Sequence, residues 1–340
     1  MERITEIVCT LGPACNNEEI LKAMFKAGMN IARLNMSHGT HQTHQELIDK
    51  IAPLRKKGLK LLIDTKGPEI RIGTFKNGSI ILKTGQDFVI TKREVEGNEK
   101  QVGLKYKALV DEVKVGGKIF ANNGLIELEV KKVSETDIVC NVIFGGKLSD
   151  HKSLNIPGVI PSTPYISKED EDDLLFAIKN NADYIALSFV SNKKNVESVK
   201  EFLEKNGKTD IKLFAKIENA KGVRNATSIL DVCDGLMVAR GDLGVEIPME
   251  KLPPVQRGLI SVCNVKKKGC IVATEMLESM TNSTRPTRAE VNDVASAVYE
   301  EATATMLSGE TAAGINPVLV VKTMAKIIDE VEKFKYKVEC

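Results

Sequence analysis

The chain has 340 residues, a formal net charge of +2 and 4% aromatic residues with no Trp. That length admits one large barrel or two domains with a substantial core, while the near-neutral charge and scarcity of rings exclude a nucleic-acid footprint or a base-stacking platform. Seven dispersed cysteines without a C-x-x-C pair fit reduced thiols, and no apolar run reaches signal-peptide or membrane-span length, so the expectation is a cytoplasmic protein without membrane contact.

In chain order, short apolar runs alternate with amphipathic segments: Glu6-Ile7-Val8-Cys9-Thr10, a helix over 18–28, Asn30-Ile31-Ala32-Arg33-Leu34, a helix over 41–57, then Lys60-Leu61-Leu62-Ile63-Asp64. After Gly67-Pro68 the pattern changes to alternating strands and tight turns. The Asn122-Asn123-Gly124 turn between two such runs predicts a hairpin. The β-rich stretch 69–161 ends in a run punctuated by Pro157, Pro161 and Pro164. A helix over 168–180 resumes the first pattern, with strands at 184–187, 211–217, 234–239, 270–274 and 303–307 and a last helix over 317–335. Eight strands and eight helices around one insertion predict an α/β fold, a (β/α)8 TIM barrel with an inserted β-rich lid after the third strand. The barrel would comprise 1–68 and 162–340 and the lid 69–161. The rival is a doubly wound sheet; polar residues after nearly every strand favour the barrel, whose strand ends open on one face.

Lys216 and Glu218 alternate onto one face at the end of the fifth strand, and Asp242 falls just past the sixth. Two carboxylates beside an ammonium suggest a divalent metal with oxygen ligands; the bland alternative is surface salt bridges. Arg33, Asn35 and Ser37 share a face if extended, and a buried arginine there suits phosphate. Asp64 and Thr65 end the third strand, and one negative charge among neutral oxygens suits a monovalent cation. Thr274 and Ser308 end the seventh and eighth strands, either as groups that position or protonate a reactant or as helix N-caps. Thr287 and Glu290 have capping-box spacing. His41 and His44 have a spacing that permits metal binding, but without a third ligand nearby a solvated surface is the expectation. Gly145-Gly146-Lys147 reads as a turn rather than a phosphate loop.

These residues resemble the pyruvate kinase family along practically the whole chain, through Ile7–Pro13, 33–39, Asp64–Arg71, Lys216-Ile217-Glu218, Ala239–Glu246, Thr274–Met280, Arg285–Glu290 and Ser308–Ala312. The resemblance implies phosphoryl transfer from phosphoenolpyruvate to ADP, the step that ends glycolysis. By likeness, Lys216 is catalytic, with Thr274 over the carbon to be protonated and Ser308 in a proton relay. Glu218 and Asp242 hold Mg²⁺ (or Mn²⁺), and the Gly241 amide holds the substrate carboxylate. Arg33 and Arg71 hold phosphates, Lys152 serves the nucleotide, and Asn35, Ser37, Asp64 and Thr65 bind K⁺. Glu69 implies K⁺ dependence, since members independent of K⁺ carry Lys there. Where the family usually reads Thr-Gln-Met-Leu, this chain has Thr274-Glu275-Met276-Leu277, adding a carboxylate beside the mouth that would weaken substrate binding. The sequence stops at Cys340, where the family usually continues into a C-terminal α/β domain. The expectation is therefore a homo-oligomer, dimer or tetramer, without sugar-phosphate activation. A metal-dependent carbon–carbon lyase and a phosphoenolpyruvate-sensing protein without turnover are the other readings.

Overall fold

In the computed structural model, residues 3–337 are described; Cys340 lies outside them. Eight parallel strands close a barrel: β1 (Glu6–Thr10), β2 (Ile31–Asn35) and β3 (Lys60–Asp64), then, after an insertion, five more. The insertion carries β4 (Ser79–Leu82), β5 (Asp87–Thr91), β6 (Gln101–Gly103), β7 (Lys118–Ala121), β8 (Ile126–Val133), β9 (Asp137–Phe144), β10 (Gly146–Ser149) and β11 (Leu154–Asn155). The barrel resumes with β12 (Tyr184–Leu187), β13 (Lys212–Ile217), β14 (Gly235–Ala239), β15 (Gly269–Ala273) and β16 (Ala304–Leu307). β16 pairs with β1 and closes the ring, which excludes the doubly wound sheet.

Each strand serves two cores because its side chains alternate between faces. Outward residues such as Ile7, Cys9, Leu61, Ile63 and Val238 pack under the surrounding helices. Inward residues, among them Val8, Ile31, Leu62, Phe214, Met237 and Met306, fill the barrel. The inserted strands bury their own core from Ile70 to Ile156, arranged as a six-stranded sheet and the β4–β10 pair. The Asn-Gly turn forms as expected: β7 and β8 are antiparallel, with Asn122, Asn123 and Gly124 at φ 52, 57 and 82. Gly145 to Lys147 is not the expected turn: Gly145 links two strands, and Gly146 and Lys147 lie in β10, paired with β4.

Two further expectations need correction. β2 ends at Asn35 and Ser37 lies in the turn beyond it, so Ser37 does not continue the strand face. Its amide instead donates to Asn35 Oδ1 at 3.1 Å. His41 and His44 do not form a solvated pair either. His44 is buried against the His38 carbonyl at 2.7 Å, and His41 meets Asp173 at 2.6 Å across the groove to helix Lys168–Lys179.

Candidate active site

The strand alternation that fills the barrel also builds its mouth. Inward positions Val8, Ile31, Leu62, Ala186, Phe214 and Met306 are each followed two residues on by Thr10, Arg33, Asp64, Ser188, Lys216 and Ser308, so polar groups replace apolar ones where the strands run out. Asp64 is at the centre and is 0% exposed. Arg33 Nε donates to its Oδ2 at 2.7 Å, and Lys216 Nζ donates to its Oδ1 at 2.9 Å. Burial alone would raise the Asp64 pKa, but the two cations outweigh it and hold the carboxyl below the usual range. Lys216 also donates to Ser188 Oγ at 2.6 Å and lies 3.1 Å from Glu218. Burial pulls its pKa down, yet Asp64 and Glu218 together keep it above the ordinary lysine value, so the ammonium stays charged.

Glu218 has the opposite balance. It is 1% exposed, and burial pushes its pKa up to about 7 against the pull of Lys216, with Asp242 adding repulsion. Its Oε2 accepts the Phe189 amide at 2.5 Å, from a residue at φ 56. Asp242 stands in the first turn of helix Arg240–Glu246, directly after β14. The lid reaches it there, through Asn155 Nδ2 at 3.4 Å from Asp242 Oδ1. This excludes the surface salt-bridge reading for Lys216 and Glu218, whose side chains are only 12% and 1% exposed.

The remaining candidates fall around this cluster. Asn35 pairs in register with Asp64, and Thr65 is buried with its hydroxyl donating to the Ala186 carbonyl at 3.3 Å. Thr274, at φ 72, accepts the Gly241 amide on its hydroxyl at 2.8 Å, leaving the hydroxyl proton free to donate. It is therefore no N-cap. Ser308 precedes helix Gly309–Ala312, but its side chain makes no capping bond, and its buried Oγ has no hydrogen-bond partner among the described residues. The Thr287–Glu290 capping box forms as expected. Arg71 pairs with Glu69 at 2.5 Å and donates to the His151 carbonyl, beside Lys152. His38 marks where these cations converge: burial lowers its pKa first, and Arg71, Arg33 and Lys152 lower it further. Glu275 is exposed and lines an outer cleft with Arg240, Arg257 and Asp293, away from the Lys216 cluster.

Sequence reasoning missed Ser188, Thr10, Asn155 and the Phe189 amide. Ser188 carried a usable signal, because it directly follows the fourth barrel strand, two residues on from the inward Ala186. The other three are recognisable only from contacts across the chain, such as Thr10 Oγ1 accepting from Arg33 Nη1 at 2.7 Å.

A family model described as "Pyruvate kinase, barrel domain" matches residues 2–321. The chain belongs to the pyruvate kinase family. A pyruvate kinase of Staphylococcus haemolyticus (strain JCSC1435) is 47% identical over 330 residues, 96% of this chain and 56% of the relative. A pyruvate kinase of Staphylococcus aureus (strain USA300) matches at the same identity and coverage. The chain thus spans little more than half the length of these curated relatives. Among solved structures, a pyruvate kinase from Cryptosporidium parvum superposes with a TM-score of 0.92 at 41% identity, covering 97% of this chain and 70% of that one. The pyruvate kinase relationship therefore covers both the barrel and the inserted lid.

Proposed function

We propose that this chain transfers the phosphoryl group of phosphoenolpyruvate to ADP, giving pyruvate and ATP, with Mg²⁺ (or Mn²⁺) and K⁺ at the barrel mouth. The observation that carries this reading is the buried Lys216 ammonium between Asp64 and Glu218, with Asp242 alongside. In the reaction the bond from phosphorus to the enol oxygen breaks and a bond to an ADP phosphate oxygen forms. The enolate left behind takes a proton at carbon. Lys216 is placed to neutralise charge on the phosphoryl group in transit and on the enolate oxygen. Arg33, fixed by Asp64 and Thr10, presents the rest of its guanidinium to phosphate. Arg71 and Lys152 supply positive charge on the lid side for the nucleotide, and Asn35, at the end of β2, would serve it from the barrel. The Gly241 amide would exchange its bond with Thr274 for the substrate carboxylate. Thr274 and Ser308 both carry hydroxyls with donor capacity to spare, which suits protonation of the enolate.

The donor set fits the metals. Burial pushes the Glu218 pKa up to about 7, with Asp242 adding repulsion, so a cation at its oxygens would restore the Glu218 charge. Mg²⁺, when bound there, would neutralise substrate charge and take the rest of its oxygen shell from water and substrate. For K⁺, Asn35, which pairs in register with Asp64, would supply neutral oxygens together with Ser37 and Thr65, and Asp64 the carboxylate. Glu69, paired with Arg71, leaves no added cation at that position to replace K⁺. We place the lid at 69–161 and the barrel at 1–68 and 162–340. The six described cysteines are free and buried, which suits the reducing cytoplasm.

An ADP-dependent assay of pyruvate release from phosphoenolpyruvate tests the reading. Activity should appear with Mg²⁺ and K⁺, vanish with a chelator, and fall when a bulky organic cation replaces K⁺. Pyruvate release independent of ADP would contradict phosphoryl transfer, and Mg²⁺-dependent binding without turnover would favour a sensor.

A further inference from the structure

The segment that leads from the lid back into the barrel carries a tyrosine that the proposed chemistry does not use. Tyr165 stands between Pro164 and helix Lys168–Lys179, half-buried, and its hydroxyl donates to the Ser188 carbonyl at 2.7 Å. Burial of that hydroxyl, then the nearby carboxylates of Glu218, Asp170 and Asp64, raise its pKa well above the ordinary phenol value, so it keeps its proton and donates. Ser188 and Phe189 share one peptide group, whose carbonyl takes the Tyr165 hydroxyl and whose N–H donates to Glu218 Oε2 at 2.5 Å. The Ser188 side chain meanwhile accepts from Lys216 Nζ at 2.6 Å and donates to the Thr65 carbonyl at 2.6 Å. Two adjacent residues thus hold both the ammonium and the carboxylate at the end of β13.

Those two residues need an external hold. Phe189 sits at φ 56, a left-handed conformation disfavoured for a bulky side chain, which persists only where the surroundings over-determine it. A hydroxyl donating to the carbonyl also polarises the peptide, which strengthens the N–H that Glu218 accepts. The outgoing lid connection closes on the same place: a Cβ on Gly67, at φ 67, would lie 2.9 Å from Ser188 Cβ. Asp170 clasps the two connections together, accepting the Gly67 amide at 2.8 Å on one oxygen and the Ser167 amide at 3.0 Å and hydroxyl at 2.6 Å on the other. Both connections of the lid therefore rest on Ser188.

We propose that Tyr165 is a positioning residue, not in contact with substrate, that holds the Ser188–Phe189 peptide and through it sets both Lys216 and Glu218. Its hydroxyl is the outer contact of a chain that runs from the lid connection, through one peptide group, to the ammonium and to the carboxylate assigned to the divalent metal. The inference rests on the proposed phosphoenolpyruvate reaction and goes beyond it in naming what orients these two groups. A tyrosine that merely fastened the lid connection would act differently: its loss would shift the lid cations Arg71 and Lys152 and raise the KM for ADP.

The test is Tyr165→Phe, which removes one oxygen and keeps the ring. The variant should lose about tenfold in kcat and about tenfold in affinity for Mn²⁺, titrated by electron paramagnetic resonance without substrate, as the loss of outer partners of metal ligands does. The KM for ADP should stay within about twofold of wild type. Ser167→Ala is the comparison, because it loosens the same connection at the helix cap and leaves the Tyr165 hydroxyl in place. It should lower the melting temperature and leave the Mn²⁺ affinity at the wild-type value. Should Tyr165→Phe not fold, hydrogen exchange of the wild-type chain decides: the Phe189 amide should be protected. A folded Tyr165→Phe protein with wild-type Mn²⁺ affinity overturns the inference, and so does an equal loss of that affinity in Ser167→Ala or free solvent exchange at the Phe189 amide. A wild-type chain that forms no pyruvate with ADP overturns the functional reading instead, while the Mn²⁺ titration still decides whether Tyr165 sets Glu218.

Discussion

At the mouth of the barrel, Glu218 is buried beside Asp242 and its pKa is pushed up to about 7 from an ordinary value of 4.5. Because the folded-state value lies above the unfolded one, this group's favourable contribution to stability is complete below about pH 4.5 and is lost as pH rises through 7. The metal-free chain therefore bears a strain at pH 8 that Glu218→Gln removes. Thermal or urea unfolding in a chelator should show the variant more stable by about 3 kcal/mol at pH 8 and no different near pH 4.5. Added Mg²⁺ should reverse the order at pH 8 by stabilising only the wild type. A variant less stable than wild type at pH 8 without metal would mean that Lys216, not burial, governs this carboxyl. The acid–base pair itself was legible from the sequence because strand alternation fixes which residues share a face. Its balance of charge was not, since that depends on Asp64 arriving from another strand and on the exclusion of water.

The strand is the element that made most of this readable. β1 and β3 begin and end where their apolar runs do, and the Gly-Pro after β3 marks the departure into the lid. Ser37 was misread because nothing local distinguishes the last strand residue from the turn that follows it. Helix Arg240–Glu246 went unread because two glycines in seven residues argue against a helix until tertiary packing supplies one. Within the barrel, large and small residues are matched across strands. Phe214 on β13 fills the space left by Gly235 on β14 and Gly269 on β15, where a Cβ on Gly235 would lie 2.4 Å from the Phe214 ring. Gly235→Ala should therefore destabilise the chain by about 1–3 kcal/mol through overpacking. Because Phe214 lies two residues before Lys216, kcat should fall as well. Unchanged melting would mean that the barrel interior repacks freely.

At the scale of the molecule, the barrel collects polar residues from strands that are far apart in sequence. The order β1-β16-β15-β14-β13-β12-β3-β2 makes the third and twelfth strands neighbours across the inserted lid. With β13 paired to the other edge of β12, that arrangement brings Asp64 to Lys216, 152 residues away in the chain, while the returning lid segment places Asn155 on Asp242. The βα cadence with one interruption was enough to foresee this architecture. The contacts that tie one strand end to the next, through Ser188 and Thr10, were not foreseeable, because each joins backbone and side chain from separate elements. Ser188 among them reaches Lys216 directly, at 2.6 Å, and the proposed task of Lys216 is charge neutralisation in transit rather than substrate capture. Steady-state kinetics of Lys216→Ala in the ADP-coupled assay tests that most directly. The kcat should fall by about 10²–10³ with little change in the KM for phosphoenolpyruvate; a raised KM with a normal kcat would contradict that role for Lys216.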